Sequence, residues 1–372
     1  MAPPEPVICR REGVLGRITL NRPAKLNALD LGMIRAMRAA LLSWRHDRSV
    51  SAVVLDGAGE RSFCAGGDIA VVHHSAVTDP RIAQELWREE YRLDAQIARF
   101  SKPVVALMEG ITMGGGMGIG CHAAVRIVTE RTELAMPEVG IGLAPDVGGA
   151  LLLSRAPGEI GTHLALTGDR VRAADALYCG IADHLVESSR LPDLVADLAA
   201  GHAIDQVVRT YARPPQAAAL QVDRRWIDAS YAEPTVEDIL RRLRARPEAA
   251  AGDAAGKIVA GSPTAAKVTL RALRTARSMS TIEECLRQDY RLSVRFLAQP
   301  DLVEGIRAAV LDKDRRPRWR PARLVDVTGE TVEHFFRPLD DDLVLPGLGE
   351  HTGEILADGR VGVNADEDRG QS

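Results

Sequence analysis

The sequence predicts an α/β fold that gives way to an all-helical C-terminal region. Three observations carry this. Short apolar runs alternate with amphipathic stretches through the first half. Two glycine-rich loops each follow an apolar run. Beyond Pro214 the apolar runs stop and helix signals take over. Alternating strands and helices imply parallel pairing, because parallel neighbours need a crossover long enough to hold a helix.

In chain order, residues 14–20, 52–55, 104–108 and 125–129 read as strands. After the first, Leu31, Ile34, Met37, Leu41 and Trp44 recur at steps of three or four, with Asp30 placed as N-cap. Past Pro214, Ser262-Pro263 reads as a cap with proline at the first helical position. Ser280-Thr281-Ile282-Glu283 reads as a capping box, and its helix sets Ile282, Leu286, Tyr290, Val294 and Leu297 on one face. Residues 249–256, rich in Ala and Gly, read as a linker or a frayed helix end. The expected organisation is an α/β core over 1–213, a helical region over 214–336 and an acidic, flexible tail over 337–372 carrying Asp340-Asp341-Asp342 and Asp366-Glu367-Asp368.

Composition narrows the function classes. A chain of 372 residues can bury a sizeable core, and with 4% aromatics that core must be aliphatic. The net charge of −4 is spread over both signs, without the basic stripe of a nucleic-acid binder. Cys9, Cys64, Cys121, Cys179 and Cys285 stand apart with no CxxC, as reduced and mostly buried thiols do. The first eleven residues show no apolar signal segment, and no run approaches the roughly 18 apolar residues of a membrane span. A cytoplasmic protein with no membrane or nucleic-acid partner is expected.

Chemistry concentrates in three segments. Phe63-Cys64-Ala65-Gly66-Gly67-Asp68 and Gly110-Ile111-Thr112-Met113-Gly114-Gly115-Gly116 each follow a strand, and the second opens an apolar helix. Glycines let a ligand approach backbone N–H groups there. Two such loops could each donate one N–H to a single oxygen, as an oxyanion hole requires. Tight turns with glycine for steric reasons are the plainer reading of either loop alone. The third segment, residues 136–149, sets Glu138 and Asp146 eight residues apart in an apolar, Gly- and Pro-rich stretch. Either two solvent-facing loop acids or a buried pair fits that composition. A buried pair calls for a role, because burying a carboxylate is costly.

Other motifs fall away. Gly118-Ile119-Gly120-Cys121-His122-Ala123 stands inside a helix rather than at the strand-to-helix turn of a dinucleotide site. Neither a P-loop nor a GxSxG elbow occurs. His73-His74 lacks acids at ligand spacing and reads as a surface loop, so no metal site is expected. The stretch 312–320 mixes charge signs and reads as solvated.

Asn21-Arg22-Pro23, the loop 63–68, the glycine triplet and Pro137-Glu138 together resemble the enoyl-CoA hydratase/isomerase (crotonase) superfamily. The resemblance implies a crotonase-like spiral of ββα units followed by a helical C-terminal region. It implies oxyanion N–H groups at Gly67 and Gly115, and a coenzyme A seat near Lys25, Ala65 and Gly66. Arg88-Glu89-Glu90-Tyr91, the run 142–149, Asp289-Tyr290-Arg291-Leu292-Ser293 and the stretch 304–319 resemble the 3-hydroxyisobutyryl-CoA hydrolase subfamily. That likeness implies thioester hydrolysis in valine catabolism. Glu138 would be nucleophile or general base, Asp146 its orienting acid, and Glu90 a contact to the substrate hydroxyl. Coenzyme A would be part of the substrate, with no separate cofactor. Hydratases of the superfamily use a second glutamate two residues past the triplet, where this chain has Gly118. The rival readings are an enoyl-CoA hydratase or isomerase with a displaced acid, and a non-catalytic acyl-CoA-binding protein. Either a trimer or hexamer, or a monomer whose C-terminal part covers its own core, is compatible with the resemblance.

Overall fold

Residues 5–345 are described in a computed structural model of the chain. Its strands are β1 (Val7–Glu12), β2 (Leu15–Leu20), β3 (Ala52–Gly57), β4 (Ser62–Cys64), β5 (Val104–Met108), β6 (Ile111–Met113), β7 (Val125–Val128), β8 (Glu133–Ala135), β9 (His184–Val186) and β10 (Ala212–Arg213). They form a larger sheet ordered β1-β2-β3-β5-β7-β9-β10 and a smaller one ordered β4-β6-β8. The pairs β3/β4, β5/β6 and β7/β8 each send one strand to either sheet, and β2 through β9 run parallel. Two strands followed by a helical segment, repeated, make a spiral of ββα units. The first helices are α1 (Leu31–Trp44), α2 (Ile69–Val77), α3 (Pro80–Ala98), α4 (Gly115–Cys121) and α5 (Gly149–Ser154).

The long strands read as unbroken apolar runs because both faces of the larger sheet are covered. Val53 and Leu55 point into the main core, while Ala52 and Val54 point into a second cluster with Leu194, Leu198 and Val207. β4, β6 and β8 have three residues each, too few to show a period in sequence. They nevertheless matter most to function, since each ends at a loop of the site.

Helix signals were sharper. α1 begins and ends where its periodicity does, and Asp30 accepts the Met33 N–H. Ser262 caps Pro263–Ala276. The capping box belongs one residue later than its expected place, with Thr281 as cap and Glu284 closing it, so the helix is Ile282–Leu297. Residues 249–256 are no linker. They lie in the helix Ala249–Ala260, where small side chains at Ala251, Ala254 and Ala255 pack closely in the core. His73 and His74 stand on α2 rather than in a loop. Among the described residues only helices and loops follow β10.

The tail expected to be flexible from 337 packs at least to 345. Arg88 on α3 reaches Asp341 at 2.6 Å, Arg291 reaches Asp342 at 2.6 Å, and Leu343 is buried. Asp366-Glu367-Asp368 lie outside the described residues. Of the free cysteines four are buried and Cys9 is exposed.

Candidate active site

The two glycine loops meet. Leu29 N donates to Gly66 O and Asp68 N to Leu29 O, both at 2.8 Å, so hydrogen bonding on either side leaves the Gly67 N–H over. Gly66 has φ +101°, and a Cβ there would stand 2.9 Å from Met113 O. Only glycine lets the loops approach this closely. Gly115 opens α4, where a first-turn N–H has no helical partner. Gly67 N lies 3.3 Å from where a Cβ of residue 115 would be, so the two free N–H groups share one small space.

Acids surround that space. Glu138 sits on a short 3-10 turn, Glu138–Ile141, that follows β8. It is 5% exposed, its Oε1 lies 3.0 Å from the Cβ position of Gly114, and its Oε2 has no protein partner among the described residues. Asp146 accepts the Tyr91 hydroxyl at 2.7 Å, and that hydroxyl also lies 2.9 Å from Ser293 Oγ. The loop carrying Asp146 is held rigidly. Val147 takes φ +51° and its carbonyl meets His122 Nε2 at 2.8 Å, while Gly148 N donates to Asp289 at 2.8 Å. From α3, Glu90 aims its carboxyl at the same place: a Cβ on Gly115 would collide with Glu90 Oε1.

The solvent-facing acids expected as one reading of 136–149 are therefore excluded, and the buried pair stands. Burial pushes Glu138 well above the carboxylate range, and the charge of Asp146 adds to it. Burial also lifts Asp146, to about 6, against the pull of the Tyr91 hydrogen bond. Glu90 is pushed to about 8 by burial and then by Asp146. Two charges in one dry space repel, so such a pair titrates as a unit.

Lys25 and Ala65 form the rim, while Gly66 is buried. Ala65 N donates to Leu26 O at 3.0 Å, and Lys25 and Arg22 both reach Asp68, at 3.1 and 3.2 Å. Burial raises Asp68, but these two cations outweigh it and hold its carboxyl low. The 60%-exposed Lys25 side chain presents the rim's positive charge to solvent.

Two site residues escaped sequence reasoning. Asp289 was part of a quoted motif but had no role; it anchors the Asp146 loop. Asp94 was not singled out at all. It lies one turn beyond Glu90 on α3, wholly buried, with both oxygens 2.9–3.0 Å from the Cβ position of Gly118. The i, i+4 spacing of Glu90 and Asp94 was the available signal. Among the described residues no group of three or more His, Cys, Asp or Glu is arranged to hold a metal ion, and no helix is long and apolar enough to cross a membrane.

A family profile described as enoyl-CoA hydratase/isomerase matches residues 15–336. The chain is 39% identical to the mitochondrial 3-hydroxyisobutyryl-CoA hydrolase of Gallus gallus, over 91% of each chain. It is similar to the crystal structure of a carnitinyl-CoA dehydratase from Mycobacterium thermoresistibile, with TM-score 0.89 and 47% identity over 92% of this chain and 99% of that one. It also resembles the structure of an enoyl-CoA hydratase from Rhodobacter sphaeroides 2.4.1, with TM-score 0.87 and 43% identity over 92% of this chain and all of the other. A mitochondrial relative lends the cytoplasmic expectation no support.

Proposed function

Because the chain belongs to the enoyl-CoA hydratase/isomerase family, we propose that it hydrolyses acyl-CoA thioesters, with 3-hydroxyisobutyryl-CoA as substrate and 3-hydroxyisobutyrate and free coenzyme A as products. The observation that carries the reading is Glu138 buried against the glycine triplet, with the buried Asp146 near enough for its charge to act on it, and a Gly118 that offers no carboxyl of its own. The relatives' names divide between hydrolysis and hydration or dehydration. Gly118 weighs towards hydrolysis, because a side chain there would meet Val147 Cβ at 2.7 Å as well as Asp94.

In this scheme the thioester oxygen lies between the two N–H groups, which stabilise the charge that develops on it. One such donor contributes about 2.7–4 kcal/mol to the barrier. The Glu138–Asp146 pair holds one negative charge. Tyr91 makes Asp146 its resting seat, and passing the shared proton to Asp146 frees Glu138. Glu138 then attacks the thioester carbon or takes a proton from the water that does. Collapse of the tetrahedral species breaks the C–S bond and the thiolate leaves with a proton from the pair; on the route in which Glu138 attacks, this leaves a mixed anhydride on Glu138, which a water hydrolyses to the free acid and the restored Glu138. No metal or redox cofactor enters the scheme. Lys25 steers the phosphates of coenzyme A, and Glu90 binds the 3-hydroxyl.

The test is thiol release from (S)-3-hydroxyisobutyryl-CoA beside hydration of crotonyl-CoA, with one enzyme preparation. Thiol release with negligible hydration is expected. Hydration without thiol release would overturn the assignment.

A further inference from the structure

Asp94 is a carboxyl with nowhere obvious to put a charge. It is 0% exposed, and neither oxygen has a protein partner among the described residues. Its surroundings are acids: Glu90 on its own helix, Asp146 on the loop before α5 and Asp289 on Ile282–Leu297. The Cys64 thiol of β4 is near enough for the charges of Glu90 and Asp94 to act on it. α4 presents glycine at this point, and Gly118 could not be larger without striking the Asp94 carboxyl. On the far side of α3, Arg38 and Arg92 pair with Glu89 instead. No cation among these neighbours offsets a charge on Asp94, so burial and the Glu90 charge keep its proton in place.

The same face of α3 carries Glu90 one turn earlier. Glu90 Oε1 is also buried without a protein partner and faces the Gly115 N–H space. Hydrogen bonds of this kind tighten when substrate arrives. A carboxyl that accepts a substrate hydroxyl is best backed by a neutral neighbour, since a second charge one turn away would repel it.

We propose that Asp94 is a positioning residue that works as a neutral carboxylic acid: wedged between α3 and Gly118, it backs Glu90 and thereby sets the enzyme's preference for a 3-hydroxylated acyl group. The role of Glu90 here rests on the hydrolase reading above. Asp94 touches no substrate itself.

Discrimination is the readout, because loss of a merely structural residue would weaken all substrates alike. Binding of 3-hydroxyisobutyryl-CoA and of isobutyryl-CoA, which lacks the hydroxyl, is measured by calorimetry on the full chain carrying Glu138→Gln, then with Asp94→Ala or Asp94→Asn added. Binding to this background needs no turnover, so it stays informative even if thiol release by the native enzyme fails and sinks the functional reading. Asp94→Ala is expected to reduce the preference for the hydroxylated ligand about tenfold, the scale of the one hydrogen bond between Glu90 and the substrate hydroxyl that Asp94 positions. Asp94→Asn, neutral and of the same shape, should retain it within about twofold. Equal weakening of both ligands by Asp94→Ala, or damage by Asp94→Asn as great as by Asp94→Ala, overturns the proposal. Should one variant fold poorly, infrared difference spectra of the native enzyme against the other serve instead. A protonated Asp94 carboxyl at neutral pH is expected, and an ionised one overturns the proposal.

Discussion

Asp301 and Asp94 are both aspartates with almost no exposed surface, 2% and 0%, yet the molecule treats them differently. In the helical C-terminal region, Asp301 accepts Ser262 Oγ and Arg320 N, each at 2.6 Å, and so joins the cap of one helix to the chain beyond another. In the site, Asp94 has no protein partner among the described residues, and neither do Glu90 Oε1 and Glu138 Oε2. A satisfied buried acid holds structure together. An unsatisfied one costs stability and keeps a proton available. At Asp94 both oxygens are left over, which sets it apart from Asp301.

The most severe way to break the comparison is Glu138→Gln. Thiol release should fall about 10²- to 10⁴-fold, the range of a lost acid–base group, with acyl-CoA binding largely kept. The same variant should unfold at a higher temperature at pH 8, by about 2 °C or more. The sign follows from linkage. Site carboxyls bind protons more tightly folded than unfolded, so their burden appears as pH rises from about 4, the unfolded value, towards the region near 8 where Glu90 ionises. Scanning calorimetry against pH reads it, and a lower melting temperature at pH 8 would contradict the account.

Asp146→Asn comes next, with kcat/KM down about tenfold or more. In the native enzyme kcat/KM should decline below about pH 6, as Asp146 takes up the proton that neutralises the pair. That acid limb should be lost in the variant. Asp301→Ala should show the reverse pattern. It strands two hydrogen-bond donors and costs about 1–3 kcal/mol in denaturant unfolding, while kcat/KM stays within twofold. The smallest effect belongs to the rim. Lys25→Ala should raise KM by at most about fivefold, because exposed ion pairs contribute no more than roughly 1 kcal/mol, and added salt should mask it.

The legible part of this molecule was the part with long-period pattern. α1, the apolar strands and the helix beginning at Pro263 follow from spacing and caps. The two glycine loops, Glu138 and Asp146 were singled out because glycine and acid in an apolar stretch are conspicuous; Gly67 and Gly115 within those loops were named by the family resemblance, and the loops and Glu138 meet. What stayed hidden lacks local contrast. β4, β6 and β8 are too short to show a period. Asp94 sits on a helix whose segment Trp87-Arg88-Glu89-Glu90-Tyr91-Arg92-Leu93-Asp94 is dense in charge, and only α4 and the helix Ile282–Leu297 packed against it show which of those charges is buried. The Tyr91–Asp146 and Gly148–Asp289 contacts join residues 55 and 141 apart, a separation that no sequence window spans.

That separation also bears on how the enzyme comes into being. α3 carries Glu90, Tyr91 and Asp94, and is held at Tyr91 by Ser293, 202 residues on, and at Arg88 by Asp341, 253 residues on. During synthesis the glycine loops can form while the site's acids still face water with ordinary affinities for protons. Only when the last helices leave the ribosome and close over α3 do those acids become dry. Catalytic competence is thus a late event in the life of the nascent chain, and a chain terminated before residue 282 would have both oxyanion loops but lack the part of the enclosure that the helix Ile282–Leu297 supplies.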